Sequence, residues 1–327
     1  MKQEIRISFN EKDQRLDRFL RKLFKNVELN LIFKDIRNGN IRVNGKKQKI
    51  NYRIQEDDVL SIFGYYYDLN NNKSIDAEEY IGYNKPKICY EDSNILVAIK
   101  DVDTLVHSDG KNEKDLTRDV NIYLSNKGNT NLDDNLTFNI SPVNRLDRNT
   151  YGLVIFGKNR VAARELCELI KFRKISKYYK VLVEGKIKDG IYTAYIKKDS
   201  KLNKSIVYGY KVQDSKEIKM ELKMIDTNGV ISLLDIKLIT GRSHQIRSHL
   251  KFLNNPVIGD LKYGNKELKN YFFNKYGVQN QLLFAYKLHF NGINENMMLN
   301  YLNNKLILCS LTSQFKRIVR QEFKIIF

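Results

Sequence analysis

The chain has 327 residues, and 57 Lys+Arg against 38 Asp+Glu leave a formal net charge of +19. With 42% hydrophobic and 11% aromatic residues, it is too apolar for a disordered polycation, too long for a disulfide-stapled miniprotein, and long enough for about two domains. The surplus of cations points to a polyanionic partner, of which nucleic acid is the commonest large one.

The opening Met1-Lys2-Gln3-Glu4-Ile5-Arg6 is charged, and nowhere do the ~18 consecutive apolar residues of a membrane span occur, so no membrane association and a cytoplasmic location are expected. Cys89, Cys167 and Cys309 are odd in number, widely spaced and set in apolar or amphipathic surroundings. They read as buried thiols, not as a disulfide framework or a metal knuckle. Among the histidines only His244 and His249 are close, and an i, i+5 spacing turns them apart on a helix, so no metal is expected.

In chain order, Leu16, Phe19, Leu20 and Leu23 recur at helical spacing, with Arg15, Arg18, Arg21 and Lys22 on the opposite face. A second helix over Asn30 to Arg37 stops at Asn38-Gly39-Asn40, where glycine can take the left-handed cap. Ile41-Arg42-Val43 alternates like a strand and turns at Asn44-Gly45, with a later partner over Asp57 to Phe63. From Gly64 to Lys87 the composition shifts to Tyr65-Tyr66-Tyr67, Asn70-Asn71-Asn72 and a proline, which reads as a linker. Beyond it, strands are expected at 95–99, 152–158, 178–185 and 231–239. Between them lie one helix from an Asn159 cap and another carrying Ile246, Leu250 and Leu253. Strands mixed with helices, without a glycine-rich phosphate loop, indicate an α+β sheet domain.

The order of elements over residues 14–63, with Arg15-Leu16-Asp17-Arg18 leading to Ile41-Arg42-Val43-Asn44-Gly45-Lys46, resembles the alpha-L RNA-binding module. The resemblance implies phosphate contacts from Arg15, Arg18, Arg37 and Lys46, each releasing counterions without reading a base. A solvated basic helix is the plainer alternative.

Asn144-Arg145-Leu146-Asp147-Arg148-Asn149-Thr150-Tyr151-Gly152 holds one carboxylate between two arginines ahead of an apolar strand. Flanking cations favour its ionised form and suit a nucleophile or base, while an ion pair or an Asx turn is the ordinary reading. Three further blocks decide between them: Lys177-Tyr178-Tyr179-Lys180-Val181-Leu182-Val183-Glu184-Gly185, Thr240-Gly241-Arg242-Ser243-His244-Gln245-Ile246-Arg247-Ser248-His249, and Pro256-Val257-Ile258-Gly259-Asp260-Leu261-Lys262-Tyr263-Gly264. In this order they resemble the signature blocks of the RluA-type pseudouridine synthases. That resemblance implies an α+β pseudouridine synthase fold, a central mixed, mainly antiparallel sheet flanked by helices, behind the small alpha-L module. The domains then run 1–63, with a linker at 64–87 and a catalytic domain at 88–327. It also implies Asp147 as the catalytic carboxylate, Arg247 as its partner, Tyr179 against the target uracil, and Val257 and Ile258 as an apolar wall. The chemistry is an isomerisation and calls for no cofactor. Whether the carboxylate attacks the base or removes a sugar proton stays open.

A uridine in a stack must be flipped out, and Arg145 is placed by the resemblance to fill its gap. Arg148 is counted with it, and Arg242 is a candidate phosphate fork at the opening of a helix. Lys171, Arg173, Lys174 and Lys177 are expected to contact phosphates, with Phe172 in the core. His244 is expected to brace its turn by hydrogen bonding. Asn144, Asn149 and Tyr151 depart from the residues usual in the family, and the loop 100–107 lacks its usual Pro and Gly. The expected substrate is RNA, most specifically large-subunit ribosomal RNA, with transfer RNA as the alternative and no protein partner implied. The rivals are a catalytically idle RNA-binding or ribosome-assembly protein and a metal-dependent RNA hydrolase using His244 and His249.

Overall fold

The computed structural model describes residues 2–64, 67, 83–108, 115–127, 137–199 and 204–325. Its contacts divide into two compact units, one of residues 1–85, 117–141 and 157–163 and one of residues 86–116, 142–156 and 164–327. Among the described residues no helix is long and apolar enough to cross a membrane.

In the first unit, a four-stranded sheet of order β1-β4-β2-β3 is built from β1 (Lys2–Arg6), β2 (Ile41–Val43), β3 (Lys46–Lys47) and β4 (Val59–Phe63). The charged opening segment is thus a strand, pairing antiparallel with β4 and burying Ile5. The helices α1 (Leu16–Leu23) and α2 (Leu29–Asn38) follow the expected periodicity. Leu16, Phe19, Leu20 and Leu23 are buried against Ile32, Ile36, Ile41 and Leu60, while Arg18, Arg21 and Lys22 stay exposed. Gly39 takes the left-handed cap at φ 81°. Asn44 and Gly45 both have positive φ, 51° and 73°, as a two-residue hairpin turn of the primed type demands. Tyr67 differs from the expected linker: it is buried in this core, its ring edge-on to Phe24, and its hydroxyl donates to Asp35 at 2.7 Å. The aromatic ring gains more from that pocket than the polar residues around it could. The polar stretch 68–82 lies outside the described residues. Most of α3 (Leu116–Asn126) also belongs to this unit.

The second unit is organised by a ten-stranded sheet of order β10-β9-β11-β12-β8-β13-β7-β6-β5, with β14 pairing β13. Its strands are β5 (Lys87–Glu91), β6 (Ile95–Lys100), β7 (Tyr151–Gly157), β8 (Ile175–Glu184) and β9 (Gly190–Asp199). They continue with β10 (Lys204–Tyr208), β11 (Lys216–Thr227), β12 (Ile231–Leu238), β13 (Leu283–Phe290) and β14 (Leu306–Leu308). β13 runs parallel to β7 and antiparallel to β8, and the pairs from β8 out to β10 are all antiparallel. The sheet is therefore mixed and mainly antiparallel. β7 is buried along its whole length, whereas β9 and β11 alternate buried and solvent-facing residues.

The helices α4 (Arg160–Lys171), α5 (Gln245–Phe252), α6 (Lys266–Tyr276) and α7 (Ser313–Phe323) complete the regular structure. On α4, Ala162, Leu166 and Leu169 are buried, while Cys167, on another side of the helix, is exposed rather than buried, and Cys89 is only half-buried. Phe172 is also not in the core. It follows the last turn of α4, just before Arg173 turns the chain at φ 59°, and it is 62% exposed.

Alternation along β8 sorts the chemistry. Tyr179, Val181 and Val183 share one face with an apolar cluster that includes Met220, Leu234, Ile236, Ile246, Leu250 and Val257. Lys180, between them in sequence, pairs with Asp235 of β12 at 3.3 Å.

Candidate active site

The loop ahead of β7 carries Asp147. Thr150 N–H donates to the Asp147 carbonyl at 2.9 Å, closing a turn. Asn144 clamps the loop onto the strand: its Oδ1 accepts Ile155 N–H at 2.8 Å and its Nδ2 donates to the Leu153 carbonyl at 3.2 Å. Gly152 has φ 138°, and a Cβ there would lie 2.2 Å from the Ala285 carbonyl oxygen. Only glycine lets β7 approach β13 so closely at this point.

Beneath the loop lies a fully buried lysine. Lys100 Nζ donates to the carbonyls of Asp101 (2.7 Å), Thr104 (2.8 Å) and Arg148 (2.6 Å), so all its protons are used. It ties the 101–104 loop to the residue next to Asp147. Burial lowers its pKa to about 7, against the opposing charge of Asp147 and then of Asp101 and Asp103.

The ion pair that Asp147 makes is with Arg247 of α5, 100 residues away: Nη1 lies 2.7 Å from Oδ2. The two arginines beside it in sequence do not supply this partner. Arg145 is exposed, and the Arg148 guanidinium lies 3.8 Å from Asp103. Arg247 is aimed by a second carboxylate: its Nε and Nη2 donate to Asp260 Oδ2 and Oδ1 at 2.6 and 2.9 Å. Asp260 is fixed in turn by Lys262 and Tyr263 N–H groups on Oδ1, at 2.8 and 3.1 Å. Burial works against the charge of Arg247, but its hydrogen bonds and attraction to Asp260, then to Asp147, raise its pKa above the ordinary value. Burial likewise opposes the charge of Asp260, and Arg247 with the two backbone donors holds its carboxyl below the usual range. The guanidinium thus has one edge locked and one nitrogen presented to Asp147, whose side chain keeps 25% of its surface open.

Tyr179 is buried beside this pair, in the apolar cluster that Leu146 and Val257 also join. Burial, with the nearby charge of Asp147, pushes its phenol well above the ordinary value, so the ring stays neutral. Ile258 is buried outside that cluster, its N–H donating to the Leu182 carbonyl. The structure thus brings together Asp147, Arg247, Tyr179 and Val257. Arg242 is exposed, and its N–H donates to Gln245 Oε1 at 3.1 Å, which takes up one of the amides expected to be open for an anion. Lys171, Arg173 and Lys174 are exposed around the end of α4, and Lys177 is half-buried on the Tyr179 side of β8 with its pKa lowered by burial. In the first unit Arg18, Arg37 and Lys46 are exposed, while Arg15 is engaged with Asp17 at 2.8 Å.

His244 and His249 point to different uses. His244 Nδ1 lies 2.9 Å from the Tyr263 hydroxyl. His249 is 1% exposed, its Nδ1 has no partner among the described residues, and burial lowers its pKa to about 4. Among the described residues no group of three or more His, Cys, Asp or Glu is placed to hold a metal ion. Asp260, Lys100 and Tyr263 were given no role by the sequence. A lone charge closing an apolar run, as Lys100 closes β6 and Asp260 follows Pro256–Gly259, was the available signal.

Residues 94–252 match the RNA pseudouridylate synthase family and residues 14–60 match the S4 domain. The chain is 34% identical to an uncharacterized RNA pseudouridine synthase of Mycoplasma capricolum subsp. capricolum, over 92% of this chain and 95% of that protein. It is also 34% identical to the ribosomal large subunit pseudouridine synthase C of Buchnera aphidicola subsp. Baizongia pistaciae, over 88% of each. Among solved structures, human RNA pseudouridylate synthase domain containing 4 superposes with a TM-score of 0.56 at 18% identity, covering 72% of this chain and 92% of that one. It shares the fold.

Proposed function

The chain belongs to the RNA pseudouridine synthase family, and on that premise we propose that it converts uridines of large-subunit ribosomal RNA to pseudouridine, in the cytoplasm and without a cofactor. The reaction breaks the bond between uracil N1 and the ribose C1′ and makes one from C5 to C1′. N1 gains a proton and C5 loses one, so nothing is oxidised and no outside nucleophile is consumed. Asp147 is the catalytic carboxylate in this reading, either adding to the base or taking a sugar proton. Arg247 fixes its direction, Tyr179 lies against the flipped base, and Val257 walls the pocket, with Ile258, next in the chain, buried outside that apolar cluster. Arg145 fills the gap left by the base, Arg148 and Arg242 hold the flanking phosphates, and Lys171, Arg173, Lys174 and Lys177 continue the phosphate track. The module over residues 1–63 adds Arg15, Arg18, Arg37 and Lys46, joined through 64–87 to a catalytic domain over 88–327.

The observation that carries this reading is the fork of Arg247 on Asp260, which leaves one guanidinium nitrogen aimed at Asp147, 2.7 Å away. The choice of ribosomal RNA is supported by the name of the Buchnera relative. In the test, Asp147→Asn abolishes tritium release from uridine-labelled ribosomal RNA while salt-sensitive binding survives. Undiminished release would overturn the assignment of Asp147. Release by neither the parent nor the variant, with binding intact, would favour an idle RNA-binding protein. Mapping pseudouridine across total RNA with and without the gene identifies the substrate class, transfer RNA included.

A further inference from the structure

The loop ahead of α5 contains a histidine whose proton is placed by its neighbours. Ser205 of β10 donates its backbone N–H to the Tyr263 hydroxyl oxygen at 2.7 Å. That oxygen therefore acts as acceptor on one side, and its single proton needs an acceptor of its own. The His244 Nδ1, at 2.9 Å, is a ring nitrogen able to accept it. Ser205 Oγ donates to the Ser243 carbonyl at 2.9 Å, pinning the same loop to the same strand. His244 itself is held in the left-handed region at φ 56°. Burial keeps Tyr263 protonated by raising its pKa, and burial keeps His244 neutral by lowering its own.

A neutral imidazole with Nδ1 as acceptor has its one proton on Nε2. Nε2 makes no hydrogen bond to any described residue, and the side chain is only half-buried. Of the charges around it, Asp147 acts on it ahead of Arg247, Lys262 and Asp260. A directed, neutral N–H donor therefore stands one ring away from the guanidinium that holds the carboxylate: the His244 and Tyr263 ring centroids are 5.7 Å apart, and the Arg247 guanidinium, 2.7 Å from Asp147, lies 5.3 Å from the Tyr263 ring centre.

Resting on the synthase reading above, we propose that His244 is a substrate-positioning residue whose Nε2–H, set by the Ser205–Tyr263–His244 relay, hydrogen-bonds a carbonyl oxygen of the flipped uracil. A neutral donor matches a neutral carbonyl. The neighbouring phosphates are better served by the exposed Arg242.

Nitrogen-15 NMR of the full chain, without RNA, reads the tautomer directly: Nε2 appears as the protonated nitrogen and Nδ1 as the bare acceptor. The reverse tautomer overturns the proposal even if every variant misfolds. In kinetics on a synthetic RNA bearing one target uridine, His244→Ala lowers kcat/KM about tenfold and His244→Gln, which keeps an N–H donor, recovers part of it. Tyr263→Phe costs about as much as His244→Ala, and the double variant adds little, because both remove one contact. With 2-thiouridine or 4-thiouridine at the target, the penalty of His244→Ala disappears for the carbonyl that is contacted. An unchanged kcat/KM in His244→Ala, or a penalty equal on both thio-substrates and uridine, rejects the contact. Failure of the synthase reading is distinguishable, since the parent would then convert no RNA while the tautomer could still be measured.

Discussion

Two carboxylates share Arg247, and removing the charge of each should have opposite consequences. Asp260 is fully buried and takes two of the guanidinium's donors at 2.6 and 2.9 Å, besides two backbone N–H groups. In Asp260→Asn the volume is kept, but one oxygen becomes an NH₂ that faces an N–H donor, and the buried guanidinium loses its main counter-charge. Breaking a buried pair from one side costs about 3–5 kcal/mol. Arg247 keeps Asp147 at 2.7 Å, so the lower end applies, about 3 kcal/mol, or more than about a hundredfold in the ratio of folded to unfolded chains. Asp147→Asn leaves the Asp260 fork intact at a side chain that is 25% exposed, and should move stability by less than about 1 kcal/mol while abolishing turnover. Urea denaturation followed by circular dichroism checks both: the midpoint falls for Asp260→Asn with unchanged slope and barely moves for Asp147→Asn. If Asp260→Asn unfolded at the parent's midpoint, or if Asp147→Asn were the costlier change, the division into a supporting and a reacting carboxylate would be wrong.

Lys100→Met strands the carbonyls of Asp101, Thr104 and Arg148 that Lys100 now satisfies; it should cost about 2–3 kcal/mol in urea titration and lower turnover by loosening the residue after Asp147. His249 has its pKa lowered by burial from 6.5 to about 4, so the unfolded chain takes up a proton before the folded one does. Stability is full above about pH 6.5 and falls by about 3 kcal/mol toward pH 4, and His249→Gln should flatten that part of a plot of unfolding free energy against pH. At Gly152→Ala, the new Cβ meets the Ala285 carbonyl at 2.2 Å on a backbone of φ 138°; expression trials and melting curves should show a loss of more than about 2 kcal/mol, with a melt matching the parent counting against the close approach. Replacing Arg18, Arg37 and Lys46 together by Gln should lower the slope of log affinity against log salt for RNA binding by about 2, the release of roughly three phosphates' counterions.

The parts of the molecule that rest on neighbours in the chain were legible without coordinates. The spacing of Leu16, Phe19, Leu20 and Leu23 buries one face of α1, Gly39 caps α2, and Asn44-Gly45 turns the hairpin, because each depends on the geometry of a few consecutive residues. The four signature blocks likewise carried Asp147, Tyr179 and Arg247 as candidates. The strands β9 to β11 were not anticipated, since one side of each faces solvent and their lysines and glutamates dilute the apolar signal.

What holds the paired charges was a tertiary matter. Arg145 and Arg148 flank Asp147 in sequence, yet its cation is Arg247, the partner that the resemblance of the blocks implied and that no period in the chain encodes, and the carboxylate of residue 260 that aims this guanidinium emerged only in the fold. The same holds for Lys100 beneath the loop and for Phe172, whose aromatic character suggested a core that the turn at Arg173 leaves behind. Local order follows from short-range torsion and periodicity. The direction of a buried guanidinium follows from which groups the packed sheet and α5 leave within 3 Å of it, and only the folded chain sets that.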